Sequence, residues 1–141
     1  MIVRSWLLAL MEVKPFKWRK APGPETEMCI RFANDLRAMT LEGKLKGVWT
    51  HIPNEIGWGK NKSNQLVYAI AKNMGMIPGS PDYMFIRPGH GLILEAKAPK
   101  GQLNPQQKNY REWAASAGVD YHIFKSVEEG KALLKQYGYI E

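Results

Sequence analysis

Between residues 79 and 98 the chain spells out a β-hairpin whose charged side chains are gathered at its open end. Gly79-Ser80-Pro81-Asp82 leads into an apolar run over 82–86, Arg87-Pro88-Gly89-His90 is turn-forming, and a second apolar run follows over 91–98. Gly91-Leu92-Ile93-Leu94 is apolar on both faces, the pattern of a central strand rather than of one with a solvated side. Side chains alternate along a strand, so Glu95 and Lys97 share one face while Leu92, Leu94 and Ala96 turn the other way into a core. If the two runs pair through the turn, Asp82 is brought close to Glu95, and two carboxylates and an ammonium converge.

That grouping has a chemical use. Hard divalent cations such as Mg²⁺ are held by one or two carboxylates, keep several waters and take their remaining ligands from substrate phosphates. Such an ion stabilises charge on a phosphoryl oxygen and acidifies a water, which a neighbouring lysine can orient or help to deprotonate. Phosphodiester hydrolysis is the natural reading. The plain alternative is a solvated Glu-Lys pair on a strand, with Pro81-Asp82 as turn chemistry. The central-strand pattern weighs against it, because charges at the end of a buried strand are costly unless a partner or an ion compensates them.

Charge points to the same class of partner. Against 13 acidic residues the chain carries 20 Lys and Arg, a net charge of +7 that favours a polyanion without telling DNA from RNA. A merely basic soluble protein has the same balance. The 141 residues suit one domain. A single cysteine, Cys29, excludes an internal disulfide and any cysteine-based zinc site, and its place on an apolar helical stripe makes it a buried structural thiol. His51, His90 and His122 fall in separate segments without the close spacing of a zinc-binding helix. His51 is a candidate to approach a phosphate, and the other two read as structural or surface groups. The apolar stretch Trp6 to Met11 is too short to span a bilayer and lacks a signal-peptide cleavage site, which points to the cytoplasm. Residues 1–10 read as an extension ahead of a second start at Met11.

Along the chain, residues 1–24 form an arm in which Lys14, Lys17, Arg19 and Lys20 interleave with Phe16 and Trp18 before Pro22-Gly23-Pro24. Such an arm suits phosphates and bases, and equally suits capping a core. Residues 25–43 show helical spacing in Cys29, Phe32, Ala33, Leu36 and Met39, with Thr26 as cap and Gly43 as stop. Glu27 then sits in the first turn, where interaction with the helix dipole accounts for it. A strand over 47–53 leads to a polar loop over 54–62, in which Trp58 is a candidate stacking group and Lys60 and Lys62 are candidate backbone contacts, as is Lys100 further on. Ser63 or Asn64 opens a helix with Leu66, Val67, Ile70, Ala71 and Met74 on one side, closed by Gly75. Asn104 caps a further helix with Pro105 at its first position and Gln107 completing a capping box, and Tyr110, Trp113, Ala114 and Ala117 form its buried stripe. A strand over 119–124 and a last helix, opened by a capping box of Ser126-Val127-Glu128-Glu129, complete the chain.

Gly-x-Pro-Asp, then Gly-Leu-x-x-Glu-x-Lys, then Gly101-Gln102-Leu103-Asn104-Pro105-Gln106-Gln107, resembles the PD-(D/E)XK nuclease superfamily in its VRR-NUC branch. The likeness extends back through His51-Ile52-Pro53-Asn54 to Thr26-Glu27 and forward to Ala117-Gly118, with residues 25–141 as the nuclease domain. The resemblance implies an α/β fold with a restriction-endonuclease-like αβββαβ core, a mixed central sheet flanked by helices, here with an inserted helix. It implies a Mg²⁺- or Mn²⁺-dependent endonuclease acting on branched or structured DNA as a homodimer, in the manner of Holliday-junction resolvases. Asp82 and Glu95 would bind the metal with the Ala96 carbonyl, Glu27 would complete its shell, Lys97 would position or activate water, and Gln107 would hold the lysine or the substrate. A fold that kept DNA binding but lost turnover, and a restriction-type nuclease reading a short sequence, are the alternatives.

Overall fold

The computed structural model describes residues 3–15, 17, 20–53 and 62–141, with side chains for all of these except Lys62 and Ser63. Phe16, Trp18 and Arg19 of the expected arm, and Trp58 and Lys60 of the expected DNA-contacting loop, lie outside the described residues. The elements in chain order are α1 (Ser5–Met11), α2 (Pro24–Leu41), β1 (Val48–His51), α3 (Lys62–Asn73), β2 (Tyr83–Arg87), β3 (His90–Ala96), α4 (Pro105–Ser116), β4 (Asp120–Phe124) and α5 (Val127–Gln136). The four strands make one mixed sheet in the order β1-β2-β3-β4, so the chain has the expected α/β class with flanking helices. Among the described residues no helix is long and apolar enough to cross a membrane.

Contacts divide the chain into two compact units, one of Met1–Gly47, Ala96–Lys100 and Phe124–Glu141, the other of Val48–Glu95 and Gly101–Ile123. In the first unit α1 touches α2, so residues 5–11 are an ordered helix where only an apolar stretch was anticipated. α2 begins at Pro24 with Gly23 as its cap, three residues before the expected cap Thr26. Proline has no N–H to lose and its fixed φ suits the first helical position, so Pro24 starts the helix earlier than hydrophobic spacing could show.

The core of the first unit is built from Phe32 and Leu36 of α2 with Phe124, Val127, Leu134 and Tyr139, all buried. The Phe32 and Phe124 rings lie 4.7 Å apart in a tilted pair. α5 packs on α2, and Gly130 makes this close approach fit: a methyl there would stand 2.8 Å from Cε1 of Phe32 and 3.1 Å from Cδ2 of Phe124. Ser126 caps α5 by accepting from the Glu129 N–H at 3.1 Å, but only half of the expected box forms. The Glu129 carboxylate takes the Lys125 N–H instead, at 2.6 Å.

In the second unit the hairpin has the expected register. β2 and β3 are antiparallel with Tyr83 opposite Leu94 and Arg87 opposite His90, joined by Pro88 and Gly89. Gly89 has φ +78°, a conformation that L side chains rarely adopt and that glycine takes at no steric cost. Leu92, Leu94 and Ala96 are buried, as the alternation required. The stripe on α4 behaves differently from its expectation. Ala114 is buried and Tyr110 half-buried, but Ala117 is exposed and Trp113 is 55% exposed. These residues line one wall of an open apolar cleft whose other wall is Met84, Ile86, Gly91 and Ile93. Helical spacing fixes which face is apolar, not how much of it the sheet covers. The apolar side of α3 shows this more strongly, with Leu66, Val67, Ile70 and Met74 all exposed.

Candidate active site

Asp82 is fixed from both sides by backbone pairing. Its carbonyl accepts from the Ile52 N–H at 2.8 Å, continuing the β1–β2 ladder one step beyond His51 opposite Tyr83. On the other side it precedes Tyr83, whose partner Leu94 precedes Glu95, so the register sets Asp82 across from Glu95. Residues directly opposite on antiparallel strands carry Cβ atoms about 5 Å apart on one face. Both side chains are withdrawn from water, Asp82 at 5% and Glu95 at 1% exposure.

The helix over this face holds one of the two carboxylates. Asn104 caps α4 by accepting from the Gln107 N–H at 2.8 Å, and the Gln107 side chain returns the bond by accepting from the Asn104 N–H at 3.0 Å. The Gln107 amide has a further donor, which reaches Oε1 of Glu95 at 2.9 Å. The capping role and the site role are thus filled by one side chain. Its oxygen serves the helix and its nitrogen serves the carboxylate, so its described bond is to Glu95 rather than to the lysine.

Gly79 explains how α4 comes so near. Its φ is +83°, and a methyl on it would run into the Gln106 carbonyl and stand 2.8 Å from the Gln107 nitrogen. The strand that delivers Asp82 and the first turn of α4 therefore touch backbone to backbone at the one residue type that allows it. Ser80, between Gly79 and Pro81, is buried and donates its hydroxyl to the Ile77 carbonyl, which closes the turn locally.

Tyr121 lies on the same face, a residue that no sequence motif marks. Val119 lines the cleft beneath α4, and alternation brings Tyr121 to the same face two residues later. Its hydroxyl is buried and makes no hydrogen bond among the described residues. Burial, and then the charges of Glu95 and Asp82, hold the phenol well above its ordinary value, with Tyr110 adding slightly and Arg111 opposing. The signal for it was present in the sequence: a tyrosine is an apolar body with a polar tip, and one on a core-facing register position needs a partner for that tip.

Ala96 is buried at the end of β3, and Lys97 follows it, half-buried, with its backbone N–H donating to the Phe124 carbonyl at 3.0 Å. Glu27 is exposed in the first turn of α2. Lys62 opens α3 and Lys100 is exposed in the segment before α4. His51 ends β1, exposed, its ring 5.1 Å from that of Tyr83. His90 is bound to Asp120, Nε2 to Oδ2 at 2.9 Å, a structural role. Cys29 is half-buried rather than buried.

Among the described residues no three His, Cys, Asp or Glu side chains stand together in a group able to hold a metal ion. A pair of carboxylates is nonetheless the donor set that Mg²⁺ accepts, since that ion keeps waters and takes substrate phosphates for its other positions. Two buried carboxylates across one pair of strands repel each other and have lost hydration, costs that a cation between them offsets. The residues present fit a hard divalent ion.

No family model and no curated protein matches the sequence. Among solved structures, one named "VRR_NUC domain protein" is similar to this chain, with 22% identity and a TM-score of 0.58 over 84% of this chain and 90% of that one. At that identity the likeness establishes the fold.

Proposed function

We propose, from a fold shared with a VRR_NUC domain protein and from two buried carboxylates facing each other across β2 and β3, that this chain is a metal-dependent nuclease that hydrolyses phosphodiester bonds in DNA. The observation that carries the reading is the register that sets Asp82 against Glu95. Asp82 and Glu95 are the residues that would hold Mg²⁺ or Mn²⁺, with the Ala96 carbonyl and Glu27 as further oxygen donors. Bound there, the ion would neutralise charge on a phosphoryl oxygen and acidify a water. Lys97, two residues after Glu95, orients the attacking water. Gln107 keeps the Glu95 carboxylate in one rotamer by donating to Oε1. Lys60, Lys62 and Lys100 are the proposed contacts to the DNA backbone and Trp58 the proposed stacking group, in keeping with a net charge of +7.

The proposed substrate is branched or structured DNA, met in the cytoplasm by a homodimer whose two-fold symmetry suits paired cuts. The exposed apolar side of α3 supports a second copy as its cover, because contiguous exposed apolar patches mark interaction sites. Labelled four-way junction, flap and duplex DNA, digested with Mg²⁺ and with Mn²⁺ and paired with sedimentation of the protein, test the reading. Cleavage of the junction by a dimer is the expected result. A protein that binds all three substrates and cuts none with either metal is a binding module instead.

A further inference from the structure

Resting on the metal-dependent reading above, we propose that Tyr121 is a positioning residue of the site: its buried hydroxyl donates to a water shared with the Asp82 and Glu95 carboxylates and so fixes the oxygen shell offered to a divalent cation. Three observations carry this. Tyr121 lies on the sheet face beneath α4, the face that bears Glu95 and, by register, Asp82. Its hydroxyl is buried yet makes no hydrogen bond among the described residues. Both carboxylates are near enough for their charges to act on the phenol.

A buried hydroxyl that makes no hydrogen bond is a net cost, and phenylalanine would fill the same volume without it. The hydroxyl is accounted for when a group outside the chain accepts a hydrogen bond from it. An anion is excluded there by two carboxylates. A water fits, because it gains one donor and two acceptors from Tyr121, Asp82 and Glu95, the number of partners a buried water requires. A phenol hydroxyl is a donor and carboxylate oxygens are acceptors, so a water between them meets groups of the right kind. Groups that orient metal-binding carboxylates and their waters from behind are worth about 10- to 100-fold in metal affinity.

The test is Tyr121→Phe in the full chain, with Mn²⁺ binding measured by calorimetry, the Mg²⁺ concentration for half-maximal DNA cleavage, and the melting temperature without metal. The expected result is a Kd for Mn²⁺ and a Mg²⁺ midpoint both raised about tenfold, with the melting temperature unchanged or slightly higher. An unchanged Kd in a variant of a protein that does bind Mn²⁺ overturns the assignment. Loss of the fold overturns it too, since the hydroxyl would then be holding the sheet rather than the ion's shell. If the parent chain binds Mn²⁺ but cuts no DNA, the nuclease reading fails, while the two Kd values still decide the role of Tyr121.

Discussion

The two compact units bury their interiors for different ends. In the first, Phe32, Leu36, Phe124 and Leu134 are fully buried and apolar, and Gly130 is there so that two helices can close on them. In the second, the face beneath α4 buries two carboxylates, an amide and a phenol hydroxyl among the apolar residues. The first arrangement lowers the free energy of the fold through area removed from water. The second raises it until a cation is bound, since desolvated like charges are a cost that only a compensating partner or ion removes. A chain that places polar groups where apolar ones would pack better is spending stability on chemistry, and the location of that expense marks the site.

Substitutions in the two places should therefore separate activity from stability. Asp82→Asn is expected to lower DNA cleavage on the order of a thousandfold, the rate equivalent of several kcal/mol of charge stabilisation, while denaturant unfolding shows stability equal to the parent or higher. Phe32→Ala is expected to do the reverse, costing about 3–5 kcal/mol of stability with cleavage per folded molecule unchanged. Equal losses in both assays for both variants would erase the distinction.

The two crowded glycines sharpen it. Gly79→Ala meets backbone and also a positive φ, neither of which can yield, so it should cost about 3 kcal/mol and displace Gln107 from Glu95. Gly130→Ala meets two aromatic side chains, and its overpacking is partly offset by the better helix propensity of alanine, leaving about 1–2 kcal/mol. Thermal melts rank the two, and only Gly79→Ala should also weaken metal binding.

Gln107 gives the smallest and finest test. Gln107→Glu keeps the reach back to the Asn104 N–H, so the cap on α4 should survive, but it sets a third negative charge beside Glu95. Gln107→Ala loses the reciprocal half of the cap, for about 1 kcal/mol, and adds no charge. If Gln107 serves the site through its amide, the glutamate variant should be the poorer nuclease although its cap on α4 is kept.

Much of this was legible in sequence where local rules act alone. Turn chemistry at Pro88-Gly89, between two apolar runs of similar length, was enough to fix the hairpin register and hence the Asp82–Glu95 pairing. Asn104, Pro105 and Gln107 announced the start of α4 for the same reason. What escaped depends on residues distant in sequence. The exposure of Trp113 is set by how far the sheet extends beneath α4, and that of Met74 by whether anything covers α3. Glu129 had two N–H groups within reach, and nothing in the local pattern chose Lys125 over Ser126. Tyr121 acquired significance only when β4 was seated beside β3.

The central claim, that opposed carboxylates just before β2 and near the end of β3 make a metal-dependent nuclease, is tested most directly by titrating Mg²⁺ into a cleavage assay on labelled junction DNA, with the parent and Glu95→Ala compared at equal occupancy of the DNA. The account predicts that the parent cuts with a saturable dependence on Mg²⁺ and that the variant binds the junction as tightly but leaves it whole. Cleavage by the variant at the parent's rate, or by the parent with every divalent ion chelated, would contradict it.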